Sequence, residues 1–349
     1  MTDSNRSQTL RARFAAMPFL LAPMAGVTDA AYRIMCRRRG CATAWSEMVS
    51  VAGLAYASEK TWDLVLPAAE EPQICVQLFG SKPEQFTRAA AVVRERVGER
   101  LTLIDVNMAC PARKVIRKCE GSALMDAPEH AEAIVRACVQ EAGPVPVTVK
   151  IRKSFHDGPA TAPEFAARME AAGASAVAVH GRTASQLYTG KADWSVVDAV
   201  ADRVSVPVIG SGDVFSAADA AARLAASKAS AVFVARGSYG NPWVIADAAA
   251  IAAGGSAPVR GWDERLDALA EHLDLLRDLG LPMRKARTFA AWYLKGMPGA
   301  AGWRHRAVQC ESHAEFTALV REIRESLASA PAEPAARPAA PGAEWPAHA

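Results

Sequence analysis

Short apolar runs recur through the first two-thirds of the chain, each followed by a polar or glycine-rich segment and then an alanine-rich amphipathic stretch. Most of these runs lack polar alternation, which is typical of strands buried on both faces of a parallel sheet. Several amphipathic stretches carry Pro in the first turn, a common start of a helix. The predicted strands are 19–22, 42–46, 74–78, 101–106, 145–149, 176–179, 206–209 and 231–235, and helices are predicted at 83–97, 128–142, 163–172 and 217–226.

Eight strands, each followed by a crossover, predict an α/β fold of the (β/α)8 TIM-barrel type. The alternative is an open doubly wound sheet, but the Rossmann G-x-G-x-x-G motif that would favour it does not follow the first strand. The alternation stops near residue 251, a Gly- and Pro-containing linker follows at 254–258, and only helical patterns continue to 326. We therefore predict an N-terminal segment (1–17), a catalytic barrel (18–253), an all-helical domain (259–327) and a disordered Ala- and Pro-rich tail (328–349).

The composition narrows the class of protein only slightly. The 349 residues are 51% hydrophobic and 22% charged, which is ordinary for a globular protein. A net charge of +3 is too close to neutral to indicate nucleic-acid binding by itself. The seven cysteines are odd in number and lack C-x-x-C spacing, so we expect neither a disulfide framework nor a metal site. No signal-like or membrane-spanning apolar run is present, and we expect a cytoplasmic monomer that binds no membrane.

Polar side chains follow nearly every predicted strand, at the end where barrels of this type place their active sites. One polar residue after a strand means little, but the same arrangement at most strands predicts a catalytic mouth. The residues concerned are Glu47, Gln77, Asn107, Cys110, Lys150, Arg152, His180, Arg182, Asp213 and Arg236.

Two glycine-rich loops follow the last two strands, at 210–213 and 235–237. Small residues there allow backbone N–H groups to approach a phosphate, and Arg236 adds a charge-assisted donor. Lys150 and His180 are long donors on adjacent strands, and a flavin needs positive charge near N1 and the C2 carbonyl. Pyridoxal phosphate would also require a lysine and a phosphate loop, so these residues favour a flavin without excluding the alternative.

Several motifs resemble those of the tRNA-dihydrouridine synthases, and the resemblance runs through the whole predicted barrel. It continues into the helical region, which is similar to that of the bacterial B-type branch. The motifs are LAPMAGVTDAAYR (21–33), VQLFGSKPEQF (76–86), DVNMACPARKV (105–115), GSALM (121–125), VTVKIR (147–152), VAVHGRTASQLYTG (177–190), VIGSGDV (208–214), ARGSYGNPW (235–243) and MRKARTFAAWYLKGMPGAAGWR (283–304).

The resemblance implies a role for each matching position. Cys110 corresponds to the catalytic cysteine, and Asn107 and Arg182 are expected to contact the substrate. The implied FMN-binding residues are Pro23, Met24, Ala25, Gln77, Lys150, His180, Ser211, Gly212, Asp213, Ala235 and Arg236. The chain departs from the family pattern at three positions: Ala109 and Ala235 replace glycines, and Ser211 replaces an asparagine. None of these changes removes a reacting group, although Ala109 would be strained if its backbone required a positive φ.

The reaction implied by the resemblance is reduction of the C5–C6 double bond of a D-loop uridine in tRNA. FMN reduced by NADPH would transfer a hydride from N5 to C6, and Cys110 would protonate C5 from the opposite face. General acid catalysis of this kind typically contributes ~10²–10⁴ in rate. No separate nicotinamide-binding motif is visible, so NADPH is expected to use the same mouth.

A uridine inside folded tRNA must be extracted before it can react, which requires a grip on the RNA backbone. Arg113 and Lys114 follow Cys110 closely, and a second basic set lies in the helical region, where residues 283–309 contain no acidic side chain. Aromatic residues interleave with this set and could stack on bases or form the helix core. The predicted RNA-binding residues are Arg113, Lys114, Arg284, Lys285, Arg287, Lys295, Arg304 and Arg306.

Two rival functions remain open at this point. An FMN barrel acting on a free pyrimidine would share the fold, the flavin and a catalytic cysteine, but it would not explain the basic helical domain. An RNA-binding protein that keeps the barrel only as a scaffold would not need Cys110, Lys150 and His180.

Overall fold

The computed structural model describes residues 3–55 and 59–329. Within these ranges the eight strands are β1 (Phe19–Leu21), β2 (Trp45–Ser50), β3 (Ile74–Phe79), β4 (Leu101–Met108), β5 (Val147–Arg152), β6 (Ala176–His180), β7 (Val208–Ser211) and β8 (Ala231–Val234). All neighbours pair in parallel, in the order β1-β8-β7-β6-β5-β4-β3-β2. A parallel bridge between Leu21 and Ala44 joins the two ends of the sheet. The predicted TIM-barrel-like fold is therefore confirmed.

Helices cover the outside of the sheet and form the C-terminal region. They are α1 (Asp3–Ala16), α2 (Ala30–Arg37), α3 (Val51–Ala55), α4 (Glu59–Trp62), α5 (Pro83–Val97), α6 (Arg113–Ile116), α7 (Pro128–Ala142), α8 (Ala162–Ala171), α9 (Ser195–Arg203), α10 (Ala217–Ala226), α11 (Val244–Ala252), α12 (Trp262–Asp278), α13 (Arg284–Tyr293), α14 (Ala300–Ala307) and α15 (His313–Ser329). Short 3₁₀ helices lie at Gly98–Arg100, Gly121–Asp126 and Arg236–Ser238. Proline stands in the first turn of α5, α7 and α8, as the sequence predicted.

Helix α1 covers the N-terminal end of the barrel, a role that the sequence did not indicate. Leu10 and Phe14 are fully buried and pack in the same cluster as the barrel-interior residues Leu103 and Phe233. The α1 residue Ser7 donates a 3.2 Å hydrogen bond to the carbonyl of residue 175, just before β6. This end of the barrel is closed by apolar packing, and the opposite end carries the polar residues.

The C-terminal helices pack against the barrel through α12 and α13. Glu271 of α12 pairs with Arg38 and Arg39, which follow α2, at 2.8 and 2.5 Å. His272 stacks on Phe289 of α13 with ring centroids 4.4 Å apart and lies 5.8 Å from the Tyr32 ring of α2. Residues 253–261, which lie within the described part of the chain, form no helix or strand between α11 and α12, and the domain boundary predicted there stays a prediction. Helix α15 extends to residue 329, and the rest of the predicted tail lies outside the described residues.

No helix in the described ranges is long and apolar enough to cross a bilayer.

Strand ends differ from the predicted ones mainly at the C-terminal side. Strands β2, β4 and β5 continue through Glu47, Asn107 and Arg152, respectively. These polar residues were predicted to follow the strands, but they lie within them, and the pleat of the sheet therefore decides where their side chains point.

Candidate active site

The inward face of the barrel changes from apolar to polar along the strands. Residues two apart in a strand share a face. The interior cluster contains Cys75, Leu103, Ala176 and Ile209, and two residues further along the same strands stand polar side chains or small residues. The polar residues at inward-facing positions are Gln77, Asp105, Asn107, Thr148, Lys150, Arg152, His180 and Ser211. They gather at the C-terminal mouth, where the sequence predicted the site.

A chain of hydrogen bonds crosses three strands inside the mouth. Thr148 donates to Asp105 at 2.6 Å, and Gln77 Nε2 donates to the other oxygen of the same carboxyl group, also at 2.6 Å. Asn107 Nδ2 in turn donates to Gln77 Oε1 at 2.8 Å. Burial raises the pKa of Asp105 to about 6. The chain fixes the orientation of both amide groups before any ligand enters.

Three residues from different elements hold the backbone around Cys110. Asn107 Oδ1 accepts hydrogen bonds from the Ala109 and Cys110 N–H groups at 3.1 and 2.9 Å. Arg152 Nε donates to the Ala109 carbonyl at 2.8 Å. Ser122 donates to the Cys110 carbonyl through both its N–H and its hydroxyl, each at 3.0 Å. The half-buried Cys110 is thus held at the mouth by its backbone, which leaves its thiol available for chemistry.

The backbone conformation of this loop shows whether Ala109, which replaces a glycine of the family pattern, is strained. Among the described residues, a positive φ outside glycine occurs only at Cys119, Leu187 and Asp213, so Ala109 is not strained. Gly121 does require glycine, because its φ is +62° and an added Cβ would lie 2.7 Å from the Cys110 carbonyl oxygen. The loop therefore tolerates one departure from the family pattern and depends on a nearby glycine.

Lys150 and His180 supply donors of different charge on neighbouring strands. Asn107 and Lys150 are register partners, as are Arg152 and His180. Burial lowers the pKa of Lys150 to about 8, with Arg152 adding to the effect. Burial, with the nearby Arg152 and Lys150, holds the pKa of His180 well below its usual value, so the ring is neutral at pH 7. Its Nδ1 accepts the Arg182 N–H at 3.3 Å, which leaves the proton on Nε2 as a donor.

The loops after β7 and β8 are joined by a partly buried carboxylate. Asp213, at φ +52°, pairs with Arg182 at 2.8 Å and with Arg236 at 3.3 Å, and it accepts the Ala192 N–H at 2.7 Å. Gly212 has φ +122°, and an added Cβ would lie 2.6 Å from the Ala192 Cβ. The guanidinium of Arg182 also donates to two loop carbonyls, at 2.9 and 2.6 Å. Its contacts are those of a loop-positioning residue, and the predicted substrate contact of Arg182 stays a prediction.

Backbone donors without partners accompany these loops. Among the described residues, the N–H groups of Gly212, Asp213, Arg236 and Gly237 have no hydrogen-bond acceptor. Arg236 and Gly237 begin a 3₁₀ helix, where the first N–H groups lack an acceptor within the helix. Unpaired N–H groups near an arginine suit a phosphate.

The loop after β1 completes the rim of the mouth. The predicted cofactor residues Pro23 and Met24 are partly exposed there, and Ala25 is exposed. Gly26 adopts φ +77°, and its N–H donates to the Glu47 carboxylate of β2. Donors and small residues on the loops from β1 to β8 therefore surround one opening.

Comparison with known proteins shows the family to which the chain belongs. The family model described as dihydrouridine synthase (Dus) matches residues 20–329. The chain belongs to the dihydrouridine synthase family. It is 38% identical over 287 residues to a probable tRNA-dihydrouridine synthase from Rhizobium leguminosarum bv. phaseoli, which covers 81% of this chain and 87% of the relative. It is 36% identical over 312 residues to tRNA-dihydrouridine synthase B from Xanthomonas axonopodis pv. citri, covering 88% and 93%.

A third relative, a probable tRNA-dihydrouridine synthase from Rhodobacter capsulatus, is 38% identical over 317 residues, covering 87% of this chain and 94% of the relative. The resemblance seen in the motifs, including that to B-type proteins, is therefore confirmed, and so is the expectation of an enzyme. The family-model match at residues 20–329 includes both the barrel and the C-terminal helices, so the helical region is part of that match.

The basic residues predicted to bind RNA differ in exposure and in partners in this member of the family. Arg113 and Lys114 are exposed on α6 beside the mouth, and Arg284 is exposed at the start of α13. Lys285 instead reaches the mouth, where its ammonium lies 2.8 Å from Asp29 and 3.3 Å from Glu47.

The remaining members of the helical set contact the helical region itself. Arg287 donates to the carbonyl of residue 310 at 3.0 Å, and Arg306 pairs with Glu322 at 2.7 Å. Lys295 is half-buried, and Arg304 is exposed with a 3.2 Å hydrogen bond to a carbonyl of its own helix. Their roles in RNA binding stay predictions.

The aromatic residues between the basic ones were predicted either to stack on bases or to form the helix core, and the structure separates them. Phe289, Trp292 and Tyr293 are buried in the packing between α13, α12 and the barrel, which makes them helix core and not stacking surface. Trp303 is partly exposed and His305 is exposed.

Several residues of the site were not assigned by sequence reasoning. Asp105, Ser122 and Gly121 lay inside quoted motifs without a role, and Arg152 and Glu47 were noted only as polar strand ends. The period-two pattern counted back from Asn107 would have placed Asp105 on the inward face. No local signal gave the partners of Arg152, because its three acceptors lie on other loops.

Proposed function

We propose that this protein is a tRNA-dihydrouridine synthase that uses FMN and NADPH to reduce the C5–C6 double bond of a D-loop uridine. The observation that carries the proposal is the position of Cys110, held by its backbone at the mouth beside Lys150, Arg152 and His180. A held thiol in a cationic mouth is suited to donating a proton to an enolate carbon.

The mouth offers a donor set that suits FMN. The unpaired N–H groups of Gly212, Asp213, Arg236 and Gly237, with the Arg236 guanidinium, would hold the phosphate. The Lys150 ammonium would stabilise negative charge at N1 and the C2 carbonyl, and the fixed Gln77 amide would bond the pyrimidine edge of the ring. The remaining predicted contacts, from Pro23, Met24, Ala25, His180, Ser211 and Ala235, line the same opening. When bound and reduced, FMN would supply the hydride that uracil C6 requires.

Cys110 would donate its proton to C5 of the uracil. The thiolate that remains would lie in the same mouth as Arg152, whose Nε holds the Ala109 carbonyl at 2.8 Å, and Lys150, the register partner of Asn107. Cys110 is only half-buried, so solvent can return the proton after the product leaves. The side chain of Asn107 accepts two hydrogen bonds from the backbone of the Cys110 loop, and it would orient the uracil.

Binding of tRNA is supported by charge around the mouth. Arg113 and Lys114 are exposed three and four residues after Cys110, so they could grip the phosphates next to an extracted uridine. Arg284 is exposed on α13, one residue before Lys285, whose ammonium reaches the rim at Asp29 and Glu47. NADPH would enter the same opening and leave before RNA binds, and the enzyme would act as a cytoplasmic monomer.

The proposal is tested by NADPH oxidation with purified protein, comparing unmodified tRNA with free uridine and detecting dihydrouridine by mass spectrometry. Wild type should turn over only with tRNA, and Cys110→Ala should lose about 10²-fold or more of the rate. Cys119→Ala removes an exposed cysteine of the same segment and is the matched control, which should retain the wild-type rate.

Two results would overturn the proposal in different ways. Equal turnover with free uridine would favour the rival enzyme for small pyrimidines. Binding of tRNA without NADPH oxidation or bound flavin would favour a scaffold that only binds RNA.

A further inference from the structure

Helix α13 contacts two of the loops that form the mouth of the barrel. At its C-terminal end, Trp292 stacks on Tyr239 of the loop after β8, with ring centroids 3.8 Å apart and planes 4° from parallel. A Cβ added to Gly240 of that loop would lie 2.5 Å from the Trp292 carbonyl group. The helix and this loop are thus in contact at the backbone, and neither can shift without the other.

At the N-terminal end of α13, Lys285 reaches the loop after β1. Its ammonium lies 2.8 Å from Asp29 and 3.3 Å from Glu47. Asp29 caps α2 by accepting the Tyr32 N–H at 2.9 Å, and Glu47 accepts the Gly26 N–H. One lysine therefore binds the carboxylates that hold both the middle and the end of the loop at residues 23–29.

The charges of Lys285, Asp29 and Glu47 compensate one another in a largely buried site. The side chains of Asp29 and Glu47 are 3% and 11% exposed, and that of Lys285 is 24% exposed. Removing the ammonium would leave two neighbouring carboxylates in a poorly solvated site, with only backbone donors to compensate them. Glu47 would then be pushed away from Asp29, and it would take its hydrogen bond to Gly26 with it.

We propose that Lys285 is a positioning residue for flavin binding: through Glu47 it holds the backbone of the 23–26 loop in its ligand-ready conformation. This differs from its predicted role as an RNA-gripping residue, and it makes α13 a link between the helical region and the cofactor site. The inference rests on the proposed function, because it assumes that the 23–26 loop binds FMN.

Fluorescence titration of the full-length apo-protein with FMN measures the effect directly. Lys285→Met keeps the aliphatic stem and removes the charge, and the dissociation constant for FMN should rise about tenfold. Glu47→Ala should weaken FMN binding by a similar factor. Glu47→Gln should retain most of the affinity, because its amide oxygen can still accept the Gly26 N–H.

The double variant Lys285→Met/Glu47→Ala distinguishes positioning from general destabilisation. If both residues act through Gly26, the dissociation constant of the double variant for FMN should not exceed the higher of the two single-variant values. Lys228→Met is the matched control, because Lys228 pairs with Asp202 at 2.7 Å before β8, at the other end of the barrel. Its FMN affinity should equal that of wild type.

Each outcome decides the inference. Unchanged FMN affinity in Lys285→Met, or equal losses in Glu47→Gln and Glu47→Ala, would overturn it while leaving the proposed function intact. Wild-type protein that does not bind FMN would overturn both. If circular dichroism shows that Lys285→Met does not fold, the comparison of the two Glu47 variants decides the question alone.

Discussion

Arg152 Nε donates a 2.8 Å hydrogen bond to the carbonyl oxygen of Ala109, the residue before Cys110. The same guanidinium donates to the carbonyls of Thr183 and Leu187 at 2.8 and 3.0 Å. Burial lowers the pKa of Arg152 to about 10, which still leaves it charged at pH 7. One cation on β5 therefore connects the loop after β4 to the loop after β6.

Replacing Arg152 with Lys should keep the charge and lose this connection, because an ammonium cannot reproduce the fork of a guanidinium. We expect the rate of flavin oxidation by tRNA to fall about 10²-fold in single-turnover experiments, since a small displacement of the acid is enough to cost that much. FMN affinity should change little. A variant that reacts at the wild-type rate would show that the loop does not depend on Arg152.

Replacing Gly121 with Ala tests the other side of the same loop. The added Cβ would meet the Cys110 carbonyl oxygen at 2.7 Å and Cys110 Cβ at 3.1 Å, in a backbone with φ +62°. We expect a loss of about 2–4 kcal/mol in the free energy of unfolding, measured with urea, together with a fall in turnover.

Gly280→Ala provides the matched control, because Gly280 has φ +64° at the end of α12 and nothing within 4 Å of an added Cβ. It should lose only about 1 kcal/mol from backbone strain and keep full turnover. Equal effects of the two substitutions would mean that contact with Cys110 is unimportant.

The sequence predicted the barrel, and the mouth of the barrel at which Cys110 lies, for an identifiable reason. Parallel strands buried on both faces leave uninterrupted apolar runs, and the active site follows their C-terminal ends in any barrel of this type. Polar side chains inside β4 and β5 were harder to interpret. Whether Asp105 or Arg152 faces the mouth depends on register with neighbouring strands, which a single sequence does not contain.

Two other features depend on contacts across long distances in the chain. Lys285 pairs with Asp29, 256 residues earlier, so its local sequence shows only a basic helix. Helix α1 presents Leu10 and Phe14 to the barrel interior from an otherwise polar segment, too few apolar positions to reveal an amphipathic pattern.

The stability of the helical interface should depend on pH through His272. Burial lowers the pKa of His272 to about 3 from an ordinary 6.5, and neither ring nitrogen has a partner among the described residues. Between these values the unfolded chain binds a proton at this position and the folded chain does not, so stability falls as the pH falls from 6.5. The full effect would be about 5 kcal/mol.

His272→Phe keeps an aromatic ring against Phe289 and removes the titrating group. Its thermal unfolding temperature should therefore fall less than that of wild type between about pH 6.5 and about pH 4. His130→Phe, at an exposed position on α7, is the control and should follow wild type. Parallel curves for wild type and His272→Phe would rule out His272 as a source of the acid sensitivity.

Arg284 and Lys285 are adjacent on α13, yet the structure gives them different tasks. Arg284 is exposed beside the mouth, whereas Lys285 is occupied by Asp29 and Glu47. Arg284→Met should raise the dissociation constant for tRNA and reduce the slope of its logarithm against the logarithm of salt concentration by about 1, the loss expected for one phosphate contact. Its FMN affinity should be unchanged, the opposite of the pattern expected for Lys285→Met. An unchanged salt slope in Arg284→Met would show that the exposed start of α13 does not touch the RNA backbone, and that Arg113 and Lys114 carry the grip near the mouth.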